Sequence, residues 1–252
     1  MIKEIKNLLG FLTIFPVGMS QDCLADAAKH MYLFPVIGAL IGFLAGLLAL
    51  ALNYVLQNLI AGILTCGFIL LLTGLHHTDG LLDFGDGLMC QGPPEKKIEV
   101  MHDVQTGTGG LMLGLITVLT TALCISQLKR GFVLQSLVVA EVSAKLAMVA
   151  LAWLGKSAHK GMNTYFIDAM HSTYRKLRLT TALAISLIIA FLALEIAGLI
   201  TVIAGLFTAL ILLWISNRHF KGVTGDVMGA TNELARMTSL LAILMLATAK
   251  IF

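Results

Sequence analysis

The sequence predicts an all-α protein: a polytopic transmembrane helical bundle of about seven spans, preceded by an N-terminal interfacial amphipathic helix. Three observations carry this. The 252 residues are 58% hydrophobic and only 12% charged, with a mean hydropathy of +0.92, more apolar surface than a soluble core needs. Apolar runs long enough to cross a bilayer recur along the chain. Lys and Arg are concentrated in alternate loops. The chain reads as one integral membrane domain, residues 1–252. Its net charge of +3 gives no reason to expect nucleic acid as a partner. Cys23, Cys66, Cys90 and Cys124 lack CxxC spacing, so no disulfide framework is expected.

Residues 1–15 read as the amphipathic helix. Ile2, Ile5, Leu8, Leu9 and Leu12 form an apolar stripe, and Lys3, Glu4, Lys6 and Asn7 lie largely off it. The segment is too short to span a bilayer, and no small-residue cleavage site follows, so a signal peptide is not expected. Pro16 ends it. Residues 33–52 form the first span, with Gly38, Gly42 and Gly46 at four-residue spacing, a smooth stripe for a close helix neighbour. Residues 59–75 are the second span, 111–128 the third and 132–154 the fourth. Residues 179–215 exceed one crossing and divide near Glu195–Gly198 into a fifth and a sixth. A seventh helix starts near Asp226 and runs to about Ala249.

Thirteen of the 17 Lys and Arg residues fall on the side of the N-terminus, Arg218, Lys221 and Arg236 among them. Lys129, Arg130 and Lys250 fall on the other side, and Lys145 lies within a span. The positive-inside rule then predicts a multi-pass protein of the cytoplasmic membrane. Residues 76–109, 155–178 and 216–236 would face the cytoplasm.

The stretch Leu75-His76-His77-Thr78-Asp79-Gly80-Leu81-Leu82-Asp83-Phe84-Gly85-Asp86-Gly87 follows the second span directly. On a helix, Asp79, Asp83 and Asp86 fall within roughly 60° of one face at ~100° per residue. Like charges on one stripe repel unless a cation sits among them, and all-oxygen ligands suit a hard ion such as Mg²⁺. Ionisable groups at a membrane boundary are costly and usually functional. His76 and His77 are candidate ligands or hydrogen-bond partners of the acids.

Three further stretches carry chemistry. Met101 to Gly110 is a glycine-rich turn, containing Asp103, Gln105, Gly107 and Thr108, that feeds the third span. A helix N-terminus with exposed N–H groups suits phosphate. Lys221 to Glu233 contains Thr224, Gly225, Asp226 and Glu233. Asp226 and Glu233 share a helix face with Gly229 and Ala230 between them, which leaves room for a ligand or an opposing helix. Glu141 and Lys145, at i and i+4 in the fourth span, form an intrahelical ion pair or send Lys145 to an anionic substrate group. Carboxylates for a hard cation beside glycine turns for phosphate point to phosphoryl-type transfer, with one Asp taking a proton from the attacking hydroxyl.

These residues resemble the cobalamin synthases, the adenosylcobinamide-GDP ribazoletransferases. The family hallmark T-G-G-L-H-L-D-G-L-A-D-T-A-D-G aligns without a gap on Thr73 to Gly87, and its histidine falls on His77. A second block, M-K-D-S-R-I-G-T-F-G, matches Met101, Asp103, Gly107, Thr108 and Gly110. A third, G-G-x-T-G-D-x-x-G-A-x-x-E, matches Gly222, Thr224, Gly225, Asp226, Gly229, Ala230 and Glu233. The resemblance runs over essentially the whole chain, in order. Gln105, Lys145 and His159 stand where the family usually has Arg, which bears on bidentate phosphate recognition.

The resemblance implies a Mg²⁺-dependent transfer on the cytoplasmic face. The 5′-hydroxyl of α-ribazole, or of its 5′-phosphate, attacks the cobinamide-bound phosphate of adenosylcobinamide-GDP, and GMP leaves. Asp79, Asp83, Asp86 and Asp103 are the expected metal ligands, Asp86 the expected base, and His77 a catalytic partner. Gly107, Thr108, Lys145, Thr224, Gly225, Asp226 and Glu233 would meet substrate. A homo-oligomer is left open. Two rivals are weighed. A CDP-alcohol phosphotransferase would carry D-x-x-D-G-x-x-A-R, which is missing here. A cation transporter would need acids near the bilayer midplane in facing helices, and only Glu141 reads as deep.

Overall fold

The computed structural model describes residues 2–17 and 23–249. Met1 and Lys250, used in the helix and charge readings, lie outside them. The described residues are helical almost throughout and include no named strand, as predicted. Among the described residues four helices are long and apolar enough to cross a membrane, or five when one bent pair counts as a single span.

The bundle is built around α8 (Val133–Leu154). In its apolar window 89% of residues are buried, against 33–50% in the other candidate spans, so α8 is the axis and the others face lipid. α3 (Phe34–Val55) packs on it through the predicted glycine stripe. A Cβ on Gly38 would stand 2.6 Å from the Glu141 carbonyl oxygen, and one on Gly42 would stand 2.4 Å from that of Leu137. Two helices approach this closely only where side chains are absent. The outer face of α3 shows Val36, Leu40, Phe43 and Leu47 to the surroundings, as a lipid-facing surface does.

α10 (Arg175–Phe220) is a hairpin, which is how one helix of 46 residues supplies the fifth and sixth passes. Its backbone leaves helical geometry at Leu194 and Glu195, the latter at φ +50°. A Cβ on Gly198 would stand 2.0 Å from the Ala190 carbonyl oxygen, whereas eight residues of straight helix rise about 12 Å. Both arms therefore end on one face. There the Trp153 indole N–H donates to the Arg175 carbonyl (3.1 Å) and Val223 N–H donates to the Lys156 carbonyl (2.8 Å). α11 (Gly225–Thr248) is the seventh rod.

Two expectations change. α1 (Ile2–Leu12) buries Leu8 and Leu12 against the bundle, because α2 (Cys23–Lys29) and α9 (Met162–His171) cover it on this face. Arg236 was assigned to a cytoplasmic loop. It lies inside α11 with 1% exposure, held by carboxylates, so 216–236 is not one polar loop.

The packing predicts that Gly42→Leu lowers the thermal unfolding midpoint in detergent, corresponding to about 1–3 kcal/mol of overpacking or more. Gly67→Ala, where a Cβ meets nothing within 4 Å, should leave the midpoint nearly unchanged.

Candidate active site

The site begins where α4 (Asn58–Leu72) hands over to α5 (His76–Met89). Gly74 and Leu75 both take left-handed geometry, at φ +65° and +62°, and the chain bends by 94°. For Leu75 that geometry is strained. α5 consequently runs across the end of the bundle instead of through it. It is wedged between α11 and α7 (Thr108–Gln127) by glycine contacts. A Cβ on Gly80 would stand 3.0 Å from Asp226 Cα, and one on Gly85 would stand 2.8 Å from Gly110 Cα. At its C-terminus the buried Lys97, from α6 (Pro94–Met101), donates to the carbonyls of Gly87, Leu88 and Cys90. A cation there satisfies orphan acceptors and the helix dipole together.

The stripe of acids divides by task. Asp86 accepts from Gly107 N–H (2.7 Å, Oδ2) and Gly110 N–H (2.8 Å, Oδ1). It thereby caps α7 from a different helix, a charge-assisted arrangement at the positive dipole end. The sequence reading made Asp86 a metal ligand and base, but both its oxygens are engaged with backbone. Gly107 likewise spends its N–H on Asp86, leaving the N–H groups of Thr108 and Gly109 without an intrahelical acceptor. Asp103 sits in the exposed loop, accepting from Gln105 N–H at 3.0 Å.

Asp79, Asp83 and Asp226 form the remaining acidic group. Burial, then the charges of Asp226, Asp79 and Asp86, push the Asp83 carboxyl up to about 7. Thr224 begins α11 as an N-cap, accepting from Val227 N–H (3.2 Å) and donating to Asp226 (3.3 Å). Among the described residues no three His, Cys, Asp or Glu side chains converge into a ready metal cage.

Asp79, Asp226, Gly225, His76 and His77 line a cavity of about 670 Å³. His77 is buried, its Nδ1 has no partner, and burial followed by the Lys145 and Arg236 charges holds its imidazole well below the usual range, hence neutral. His102 and His159 stand edge to face across the mouth at 5.2 Å. The opposite wall is apolar, with Phe11, Phe34, Phe166, Met148 and Met228. That wall was missed. The only signal was the amphipathic pattern of residues 1–15, which reads as an interfacial helix and does not include Phe11 in its stripe.

Lys145 and Glu233 do not line the cavity. Beneath it, Arg236 bonds both Glu141 and Glu233, while Lys145 donates to Asn232 at 2.6 Å and stands 3.8 Å from Glu141. Two acids and two bases, all buried, close into a neutral network between α8 and α11. More charge lies deep than Glu141 alone, yet it is internally paired, unlike an open ion pathway.

The fold and the site define an all-helical integral membrane protein with an acidic, cavity-centred site at one end of its bundle. The chain belongs to the cobalamin-5-phosphate synthase family, whose model matches residues 4–244. It is 33% identical to an adenosylcobinamide-GDP ribazoletransferase of Methanococcoides burtonii, covering 97% of this chain and 93% of that one. It is 36% identical to that of Methanocella arvoryzae, covering 95% and 94%. With the enzyme of Thermococcus kodakarensis it shares 34%, covering 94% and 96%. No solved structure matches.

Removing one partner from the buried network strands the others. Arg236→Met should destabilise the protein by about 3–5 kcal/mol, read as a lowered unfolding midpoint. Adding Glu141→Gln to it should recover part of the loss.

Proposed function

We propose that this chain transfers the cobinamide-phosphate moiety of adenosylcobinamide-GDP to a ribose hydroxyl of α-ribazole or its 5′-phosphate. Because the 5′-oxygen of the latter is already esterified and stays so in the product, the attacking hydroxyl is one free in both acceptors and not the 5′-hydroxyl expected from the sequence. GMP is released, and adenosylcobalamin or its 5′-phosphate is formed. The observation that carries this is a cavity lined by Asp79 and Asp226, with Asp83 near enough to both for their charges to act on its carboxyl. Family membership supports it independently.

The donor set fits Mg²⁺. The group is all-oxygen, and the burial and mutual repulsion that together raise Asp83 are what a divalent cation offsets. Mg²⁺ is usually held by one or two carboxylates plus substrate phosphates, so a site without a complete protein cage suits a diphosphate substrate. Asp79, Asp83 and Asp226 would hold it, and bound there it would neutralise charge on the diphosphate. The Thr108 and Gly109 N–H groups would hold a phosphate oxygen. As the hydroxyl oxygen bonds to phosphorus, its proton passes to a cavity-facing carboxylate, Asp79 or Asp226, and the bond from phosphorus to the GMP oxygen breaks. His77, kept neutral, is a weak base and would instead accept a hydrogen bond from substrate. Asp86 would act through the α7 cap, as a positioning residue.

The site face carries most of the Lys and Arg residues even after Arg236 is removed from the count, which supports a cytoplasmic site in the cell membrane.

Membranes given adenosylcobinamide-GDP, α-ribazole and Mg²⁺ should release GMP, and chelation of the metal should stop it. Asp79→Asn should lower the rate about 100-fold or more. Release by Asp79→Asn at the wild-type rate would refute the assignment.

A further inference from the structure

The cavity has two chemically different walls. α5 and α11 supply its carboxylates, Asp79 and Asp226, and α5 also supplies His76 and His77. The other wall is assembled from three helices that each deliver one phenylalanine: Phe11 from α1, Phe34 from α3 and Phe166 from α9. Their ring centroids lie 5.2 Å (Phe11–Phe166), 5.9 Å (Phe34–Phe166) and 6.3 Å (Phe11–Phe34) apart. Met148 and Met228 add soft, polarizable surface suited to an aromatic guest.

We infer that the aromatic wall seats the base of the acceptor nucleoside, so that the acceptor lies inside the cavity and the corrin stays outside it. This rests on the transfer proposed above.

Size is the first argument. About 670 Å³ is within the 300–1,000 Å³ usual for pockets that enclose a drug-sized molecule. A nucleoside is of that size, whereas a corrin with its amide side chains is far larger. Polarity is the second. Guanine would leave donors and acceptors on its edge unpaired against this wall, and such groups are costly to bury. The one amide in the lining, Asn163, already donates its Nδ2 protons to Ser157 Oγ (2.7 Å) and the Val223 carbonyl (2.8 Å). A flat dimethylated bicycle such as the base of α-ribazole has no such exocyclic edge. With its base against Phe11, its ribose reaches toward Asp79 and Asp226 in the same cavity, where a hydroxyl must lose its proton.

Of the three rings Phe11 is the one that offers surface to a guest; Phe34 and Phe166 are buried behind it and hold it in place. The test uses purified protein in lipid nanodiscs, with each substrate varied while the other is saturating. Phe11→Ala should raise KM for α-ribazole about tenfold. Phe11→Leu should raise it less, and KM for adenosylcobinamide-GDP should stay within about twofold. Quenching of the intrinsic fluorescence of the α-ribazole base should report a parallel loss of binding, without the second substrate. An unchanged KM for adenosylcobinamide-GDP certifies that Phe11→Ala is folded. If that KM rises instead, or if neither moves, the inference is overturned. Wild type that binds α-ribazole through Phe11 yet never releases GMP would overturn the transfer reading and leave the seat standing.

Discussion

The approach of α5 to its two neighbours is the constraint on which the site depends. α5 lies across the end of the bundle, where Leu81 and Phe84 bury into the core and Phe84 packs edge-on against Phe220. It is held because Gly80 lets its backbone reach α11 at Asp226, and Gly85 lets it reach α7 at Gly110. A larger side chain at either place would separate the backbones and disperse the carboxylates. Asp86 on the cap of α7 and Lys97 on the last carbonyls of α5 close the two ends of the same wedge. Helix dipoles and glycine contacts thus fix the position of a helix whose apolar face is already buried.

Charge in this protein is used in two distinct ways. The network of Glu141, Lys145, Glu233 and Arg236 balances itself inside the bundle and joins α8 to α11 directly beneath the cavity. The group of Asp79, Asp83 and Asp226 is unbalanced, and burial together with the neighbouring charges pushes the Asp83 carboxyl up to about 7. A closed network stabilises one arrangement of helices. An open one asks for a cation, and the diphosphate substrate proposed here would bring the remaining ligands.

Much of the fold was legible because it follows from lengths and periods. The apolar runs located the spans, and Glu195–Gly198 located the turn of α10. The glycine spacing of α3 marked the contact with α8. The acid stripe was legible as a helix face for the same reason. Spacing does not report which group on another helix an oxygen meets, so the cap that Asp86 gives α7 was not legible in the stripe. Likewise Arg236 read as a loop cation. Its position three residues after Glu233 was a signal for pairing, but the partner Glu141 lies 95 residues away. The apolar stripe of α1 was visible, and what it faced was not, because a stripe reads the same against lipid as against protein.

The most direct measurement of the central claim is binding of Mn²⁺, as a paramagnetic substitute for Mg²⁺, to the purified protein with substrate present, followed by electron paramagnetic resonance. It compares wild type with Gly80→Leu. That variant keeps every carboxylate and alters only the approach of α5 to α11, where a Cβ would already stand 3.0 Å from Asp226 Cα. Loss of the bound-metal signal in a variant that remains folded is the result expected. Equal affinity in the two proteins would contradict the view that this contact assembles the site.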